Sequence, residues 1–282
     1  MPNVTSGAVR EPTNRTYQER GSIHDDATAQ KLGFRGGTIA GSTHMDQFPP
    51  ILLEVFGPAW FETGSLSLYF RHATVDGEAV QAFVEHPDDA VRQPRAWMTM
   101  ADGTLVAEGT ASVIAGADEP TALYARDLRH DPAGLRILAR LSGAMAIERA
   151  TARVTSEEQT QRVSEGLITE PLPWFTDDSP WGGAVAAPST VVELFTRAAG
   201  ARLLPVIGRA VGLWGAIEVR HHAGPVFVDV GYDVSGMVVA LGGSPKTEIL
   251  WYDMAARRDG VLVATMRILT RFVKASSPLY PS

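Results

Sequence analysis

With 7 histidines and no cysteine, proton transfer near neutral pH in this chain falls first to imidazole and carboxylate groups. His24 opens the run His24-Asp25-Asp26, with Glu19 a short distance before it. A Glu and a His within reach of one another can share acid–base work, the carboxylate acting as base or orienting the imidazole. The alternative is a solvent-facing Glu19 and a His24 bonded locally at a helix start. His44 and Asp46 lie in an apolar segment. There His44 either points into a pocket or is a satisfied core residue. His221-His222 invites a metal reading, but neighbours on a strand face opposite sides of a sheet, and no third ligand follows at suitable spacing. The absence of cysteine removes thiolate metal sites, disulfides and a thiol nucleophile. No phosphate-cradling loop of the P-loop type is present, and Gly33–Gly41 does not fit the dinucleotide fingerprint.

The elements that must position these residues occur twice. Gly36-Gly37-Thr38-Ile39-Ala40-Gly41 opens one apolar segment and Gly182-Gly183-Ala184-Val185-Ala186-Ala187 another. Phe70-Arg71-His72 is echoed by Val219-Arg220-His221, and Asp102-Gly103-Thr104-Leu105-Val106-Ala107 by Asp259-Gly260-Val261-Leu262-Val263-Ala264. Three matches in one order and at similar separations indicate an internal duplication, and a site at the junction can draw on both copies. In the first copy the pattern predicts a short helix after His24, capped by Asp25 or Asp26 and ended by Gly33. Helical pieces are expected over 41–48 and 50–56, interrupted at Pro49-Pro50 and stopped at Gly57-Pro58. Strand-like runs follow at Leu66–Phe70, Val80–Val84, Arg95–Met100 and Leu105–Val113, the last two joined around Asp102-Gly103. Leucines at loosely helical intervals predict a helical linker over 117–150, between an N-terminal unit at 1–116 and a C-terminal unit at 151–282. The second copy carries an apolar helix over Ser189–Ala199 and strands near 211–221, 225–234, 236–242, 246–255 and 261–274. Ala255–Gly260 is expected to form a longer hairpin loop than its counterpart.

Composition bounds the function classes. A net charge of −7, from 25 basic and 32 acidic residues, argues against broad nucleic-acid affinity. The basic residues are mostly Arg, with Lys31, Lys246 and Lys274 the lysines. The N-terminus is polar without an apolar signal core, and no apolar run is long enough to span a membrane. A cytoplasmic protein with no membrane partner is expected.

An apolar helix followed by long antiparallel strands, twice, fits an α+β double hotdog, two tandem copies each with a curved antiparallel sheet wrapped around a central helix, and composition alone permits other α+β folds as well. The run Ile23-His24-Asp25-Asp26-Ala27-Thr28-Ala29-Gln30-Lys31-Leu32-Gly33-Phe34-Arg35-Gly36-Gly37-Thr38-Ile39-Ala40-Gly41 resembles the signature region of MaoC-like dehydratases and R-specific enoyl-CoA hydratases. In that family a motif of the type Asp-x-Asn-Pro-x-His precedes such a run. His24 falls on the motif His, Glu19 stands where Asp is expected, and Ser22 replaces the Asn-Pro pair.

The resemblance implies hydration of an enoyl thioester or dehydration of a 3-hydroxyacyl thioester. The substrate would be carried on coenzyme A or an acyl carrier protein. It implies His24 as acid–base group, Glu19 as its carboxylate partner and the Gly41 N–H as oxyanion donor. No cofactor is implied, because the thioester itself acidifies the α-carbon. Thr176 stands opposite His24 in the second copy, so the working half is expected to be N-terminal. Hotdog thioesterases use a helix-borne carboxylate, which makes Asp46, with Glu54 behind it, the centre of a rival hydrolytic reading, and His44 a further candidate. A non-catalytic ligand-binding protein, or a cyclase or isomerase using the tunnel between the halves, is the third reading. Central helices are expected to begin near Gly41 and Pro188, the two sheets to join edge to edge, and the chain to form a homodimer.

Overall fold

Strand alternation and turn chemistry set up the sheet. In the computed structural model, which describes residues 3–14, 20–114 and 119–281, the first copy contributes β1 (Val4–Ser6), β2 (Gly64–Phe70), β3 (Val80–Glu85), β4 (Arg95–Met100) and β5 (Leu105–Val113). The second contributes β6 (Ala146–Ala152), β7 (Gly212–His221), β8 (Tyr232–Gly243), β9 (Thr247–Arg258) and β10 (Val261–Val273). Along β3, Val80, Ala82 and Val84 are buried while the residues between them are less so, the period of a sheet with one face on a core. The ten strands form one sheet in the order β1-β3-β4-β5-β2-β7-β10-β9-β8-β6. Each half repeats one plan, a strand whose neighbour is the last strand of the following three-stranded meander. The halves join where β2 pairs antiparallel with β7, from Ser65 opposite Arg220 to Tyr69 opposite Ala216. The expected edge-to-edge joining is what the structure shows.

The central helices differ for a covalent reason. In the second half α6 runs unbroken over Pro188–Leu203, beyond the expected Ser189–Ala199. In the first half α2 (Gly41–Met45) and α3 (Pro49–Phe56) are separated at Asp46–Phe48. Pro49 and Pro50 have no N–H to give the carbonyls one turn back, so the helix stops and restarts with proline at its head. Gly57, at φ 67°, ends α3, and α4 (Ala59–Thr63), which the sequence pattern does not announce, leads into β2. Before them lies α1 (Asp26–Lys31), and in the second half α5 (Ser156–Ser164). A single apolar core packs Met45, Phe48 and Leu52 of the first half with Val191, Leu194 and Phe195 of α6 inside the curved sheet. Among the described residues no helix is long and apolar enough to cross a membrane.

Three expectations need correction. The hairpin after Ala255 is not long: β9 runs to Arg258, and Asp259 and Gly260, at φ 51° and 80°, form a two-residue turn whose twist matches the strands. Its counterpart, over Ala101–Thr104, is the longer one. Segments 225–234 and 236–242 are not two strands; β8 begins at Tyr232 and continues through an irregularity near Val238.

The expected helical linker over 117–150 carries no helix among its described residues, and β6, the counterpart of β1, begins within it at Ala146. Two sheet carboxylates take the backbone donors that a helix would use. Glu218 accepts from the Leu123 N–H at 2.6 Å. Glu248 accepts from the N–H groups of Arg136, Ile137 and Leu138 at 2.7, 3.1 and 2.8 Å. The segment starts across the outer face of the sheet, where Leu123 packs on Ala216, Ala240, Trp251 and Leu269, and ends in the main core, where Ile137, Leu138 and Leu141 are buried.

Three donors hanging on one carboxylate make Glu248 a sensitive position. Glu248→Ala should cost at least about 2 kcal/mol in urea unfolding, because buried N–H groups lose their acceptor, while Glu248→Gln, which keeps one acceptor oxygen, should cost less. A loss no larger than that of the exposed Glu157→Ala would contradict this account of the linker.

Candidate active site

A chain of short bonds starting at α1 fixes His24. Asp25 caps α1, its carboxylate accepting from the Thr28 N–H at 3.1 Å. Asp26 accepts from the Gly37 N–H at 2.7 Å and so draws the Gly36-Gly37-Thr38 loop against residues 23–24. Only glycine fits at 37, where a Cβ would lie 2.1 Å from the His24 carbonyl oxygen. The Thr38 N–H donates to the Ile23 carbonyl at 3.0 Å. The Thr38 carbonyl lies 2.7 Å from His24 Nδ1. A carbonyl oxygen can only accept, so Nδ1 carries a proton and the neutral ring keeps its lone pair on Nε2. Asn14 donates to the His24 carbonyl at 2.8 Å.

His24 lies in the wall of a cavity of about 510 Å³. The first half adds Thr38, Gly41, His44, Phe70 at the end of β2 and residues 71–74 that follow it; the second half adds Leu204, Leu213 and Trp214. Three sequence candidates, His24, Gly41 and His44, thus meet in one cavity built by both halves. Gly41 is the first residue of α2, where backbone N–H groups have no partner within the helix. A Cβ on it would stand 2.6 Å from the Phe70 ring, which lines the same cavity. His44 Nε2 meets Thr74 Oγ1 at 2.8 Å, Nδ1 has no partner among the described residues, and burial pushes its pKa down to about 4. It is therefore neutral at neutral pH. At the rim, Arg35 donates to His72 Nε2 at 2.9 Å and is ion-paired with Glu78. Sequence reasoning missed Thr38 and Thr74. Thr38 stood inside the quoted motif, but only the fold shows that its carbonyl is the group that matters.

The other candidates lie elsewhere. Asp46, fully buried, does not line the cavity. Its Oδ1 accepts from the Ser189 N–H at 2.8 Å, in the first turn of α6, so it ties the two central helices together. Burial pushes its pKa up to about 6 against the pull of Arg162 and Ser189. Glu54 accepts from Thr5 Oγ1 at 3.0 Å on β1. Glu19 lies outside the described residues. His221 and His222 do part as strand geometry requires: His221 packs on Trp60 with ring centroids 5.5 Å apart, and His222 Nε2 meets Thr265 Oγ1 at 2.9 Å.

In the second half, aromatic side chains occupy the place where the repeat would put a matching cavity. His221 is the counterpart of His72, and its surroundings are filled by Trp60, Phe61, Trp174, Phe175 and Trp181. Trp181 is held by a 2.9 Å bond from Nε1 to Glu62. Thr176, aligned with His24, is exposed.

Burial also gives the fold a direction in pH. His44, His221 and His222 are each pushed down to about 4, burial being the first cause in every case. The unfolded chain takes up protons at these positions near pH 6.5 while the folded chain resists, so stability is lost as pH falls from about 6.5 towards 4. Asp46 and Glu218, whose pKa values burial raises, work in the opposite sense, but two groups face three. Melting temperature should therefore fall on this acid limb, and His221→Leu, which fits the aromatic nest without a charge to bury, should flatten it. An unchanged limb in that variant would refute the assignment.

No protein-family model matches the sequence, and no curated protein matches it. Solved structures do. A MaoC domain protein dehydratase from Chloroflexus aurantiacus, so described, superposes with a TM-score of 0.64 at 12% identity, covering 97% of this chain and 95% of that one. A MaoC-like dehydratase matches with a TM-score of 0.55 at 14% identity over 95% and 98% of the two chains. A Mycobacterium tuberculosis protein described as a double hotdog matches with a TM-score of 0.56 at 12% identity over 96% of each. The chain is a double hotdog protein, similar in structure to MaoC-like dehydratases.

Proposed function

We propose that the chain is a hydratase or dehydratase acting on an enoyl or 3-hydroxyacyl thioester, with the reaction in the cavity around His24. The observation that carries the reading is the His24–Thr38 bond, which leaves Nε2 as the basic nitrogen of a histidine in the wall of a mixed cavity. In the hydration direction, Nε2 takes a proton from water as its oxygen bonds to C3 of the enoyl group. The electron pair moves through C2 onto the thioester carbonyl, whose developing charge is met by the N–H at Gly41. The enolate then takes a proton at C2, and the imidazolium on His24 can return the one it received. Glu19 is the proposed carboxylate partner. Leu204, Leu213 and Trp214 supply an apolar wall against which an acyl chain can lie. The solved structures described as dehydratases agree with this reading.

A panel of enoyl, 3-hydroxyacyl and saturated acyl thioesters tests it. Water addition to the enoyl substrate is expected; release of free thiol would favour hydrolysis, and silence a binding protein. His24→Ala and His24→Gln should each lower turnover by about 10²–10⁴-fold with little change in melting temperature. Asp46→Asn, which keeps an acceptor for Ser189, should leave turnover within a few-fold of the parent. A collapse of activity in Asp46→Asn with survival in His24→Gln would transfer the chemistry to the helix carboxylate.

A further inference from the structure

A second cavity, of about 450 Å³, lies on the other face of the sheet, between the crossing segment and strands β2, β9 and β10. Tyr69, Trp251 and Leu269 are in its wall, with Arg126 from the crossing segment and Arg271 from β10. The guanidinium groups of Arg71 and Arg126 lie 5.1 and 5.3 Å from the Tyr69 ring centroid. Arg71 is paired with Glu108 at 3.0 Å, and Arg129 in the same wall with Asp131 at 2.8 Å. Arg126 and Arg271 have no carboxylate within ion-pair distance among the described residues, although the exposed Asp127 also lines the cavity. The Tyr69 hydroxyl is buried and has no hydrogen-bond partner among the described residues. Burial, with the repulsion of Arg71 and Arg126 partly offset by Tyr69, pulls Arg271 below the usual guanidinium range.

Gathering like charges beside an aromatic wall is unfavourable for the chain alone and becomes favourable when an anion binds to the folded state. Guanidinium forks suit phosphate oxygens. The volume is that of a small-molecule site and exceeds what inorganic phosphate needs. The two cavities also adjoin. Arg71 lines the His24 cavity while standing over Tyr69, and Leu213 in the catalytic wall is the register partner of Arg271.

We propose that this outer-face cavity binds a phosphorylated, ring-bearing ligand of nucleotide size through Arg126 and Arg271. The binding does not rest on the reaction proposed for the His24 cavity. It is tested by calorimetric titration of the full chain with ADP and adenosine 3′,5′-bisphosphate, with adenosine and inorganic phosphate as comparison ligands. At least one nucleotide should bind saturably, more tightly than either comparison ligand, with affinity falling as salt rises. Arg126→Gln and Arg271→Gln should each weaken it about tenfold or more, the scale of one lost charge-assisted contact. Arg271→Lys should retain part of the affinity, and Arg149→Gln, far along the sheet at β6, all of it. Arg126 is exposed, so its variant reports on binding even where an Arg271 variant folds poorly. No saturable binding at millimolar nucleotide, phosphate binding as tightly as the nucleotides, or indifference to Arg126→Gln would overturn the proposal. Because binding is read without turnover, an inactive thioester panel leaves this result unaffected.

Discussion

The antiparallel pairing of β2 with β7 is the constraint from which the site follows. Because the strands run in opposite directions, the end of β2 must lie beside the start of β7, and the end of β7 beside the start of β2. The join thus creates two equivalent corners. At the first, Phe70–Thr74 meet Leu213 and Trp214, and the space between them is open to His24, Gly41 and His44. At the second, Trp60 and Phe61 pack on His221 and close the space. Duplication supplies the symmetry, and a few aromatic side chains break it. The polar groups of the open corner come from the first half, while Leu204, Leu213 and Trp214 of the second half add to its apolar wall.

Carboxylates do much of the remaining positioning, and none of those that do so is in the cavity wall. Asp26 holds the loop whose carbonyl fixes the His24 tautomer. Asp46 fastens α2 to α6 across the duplication. Glu218 holds the start of the crossing segment on the outer face, beside the second cavity, and Glu248 holds residues 136–138, where Ile137 and Leu138 join the main core. Each is a carboxyl group accepting from backbone N–H groups that would otherwise lack an acceptor in the fold.

Local signals made much of this legible in advance. Pro49-Pro50 announced the helix break, the Asp25-Asp26 pair a cap for α1, which Asp25 supplies, and Asp259-Gly260 a hairpin, because each acts close to its own backbone. The repeated motifs announced the paired halves, and His24, Gly41 and His44 did converge. What stayed hidden depends on partners distant in sequence. Asp46 looked like a possible reactive carboxylate because its partner, the Ser189 N–H, is 143 residues away. The leucines of the crossing segment looked helical because nothing local shows that Glu248, 110 residues beyond Leu138, takes their backbone donors. Aromatic closure of the second corner was equally invisible, since Phe61 and Trp181 meet only after the strands pair.

The central claim is that one corner of the β2–β7 join holds the reacting thioester against His24. A crystal structure with a saturated acyl thioester, which binds but cannot be hydrated, tests it most directly. The account predicts the thioester carbonyl oxygen within hydrogen-bond distance of the Gly41 N–H, and C3 facing His24 Nε2 with room for one water between them, hydrogen-bonded to Nε2 and about 3–3.5 Å from C3. An acyl group seated at the aromatic corner, or His24 turned so that Nδ1 rather than Nε2 faces the ligand, would contradict it.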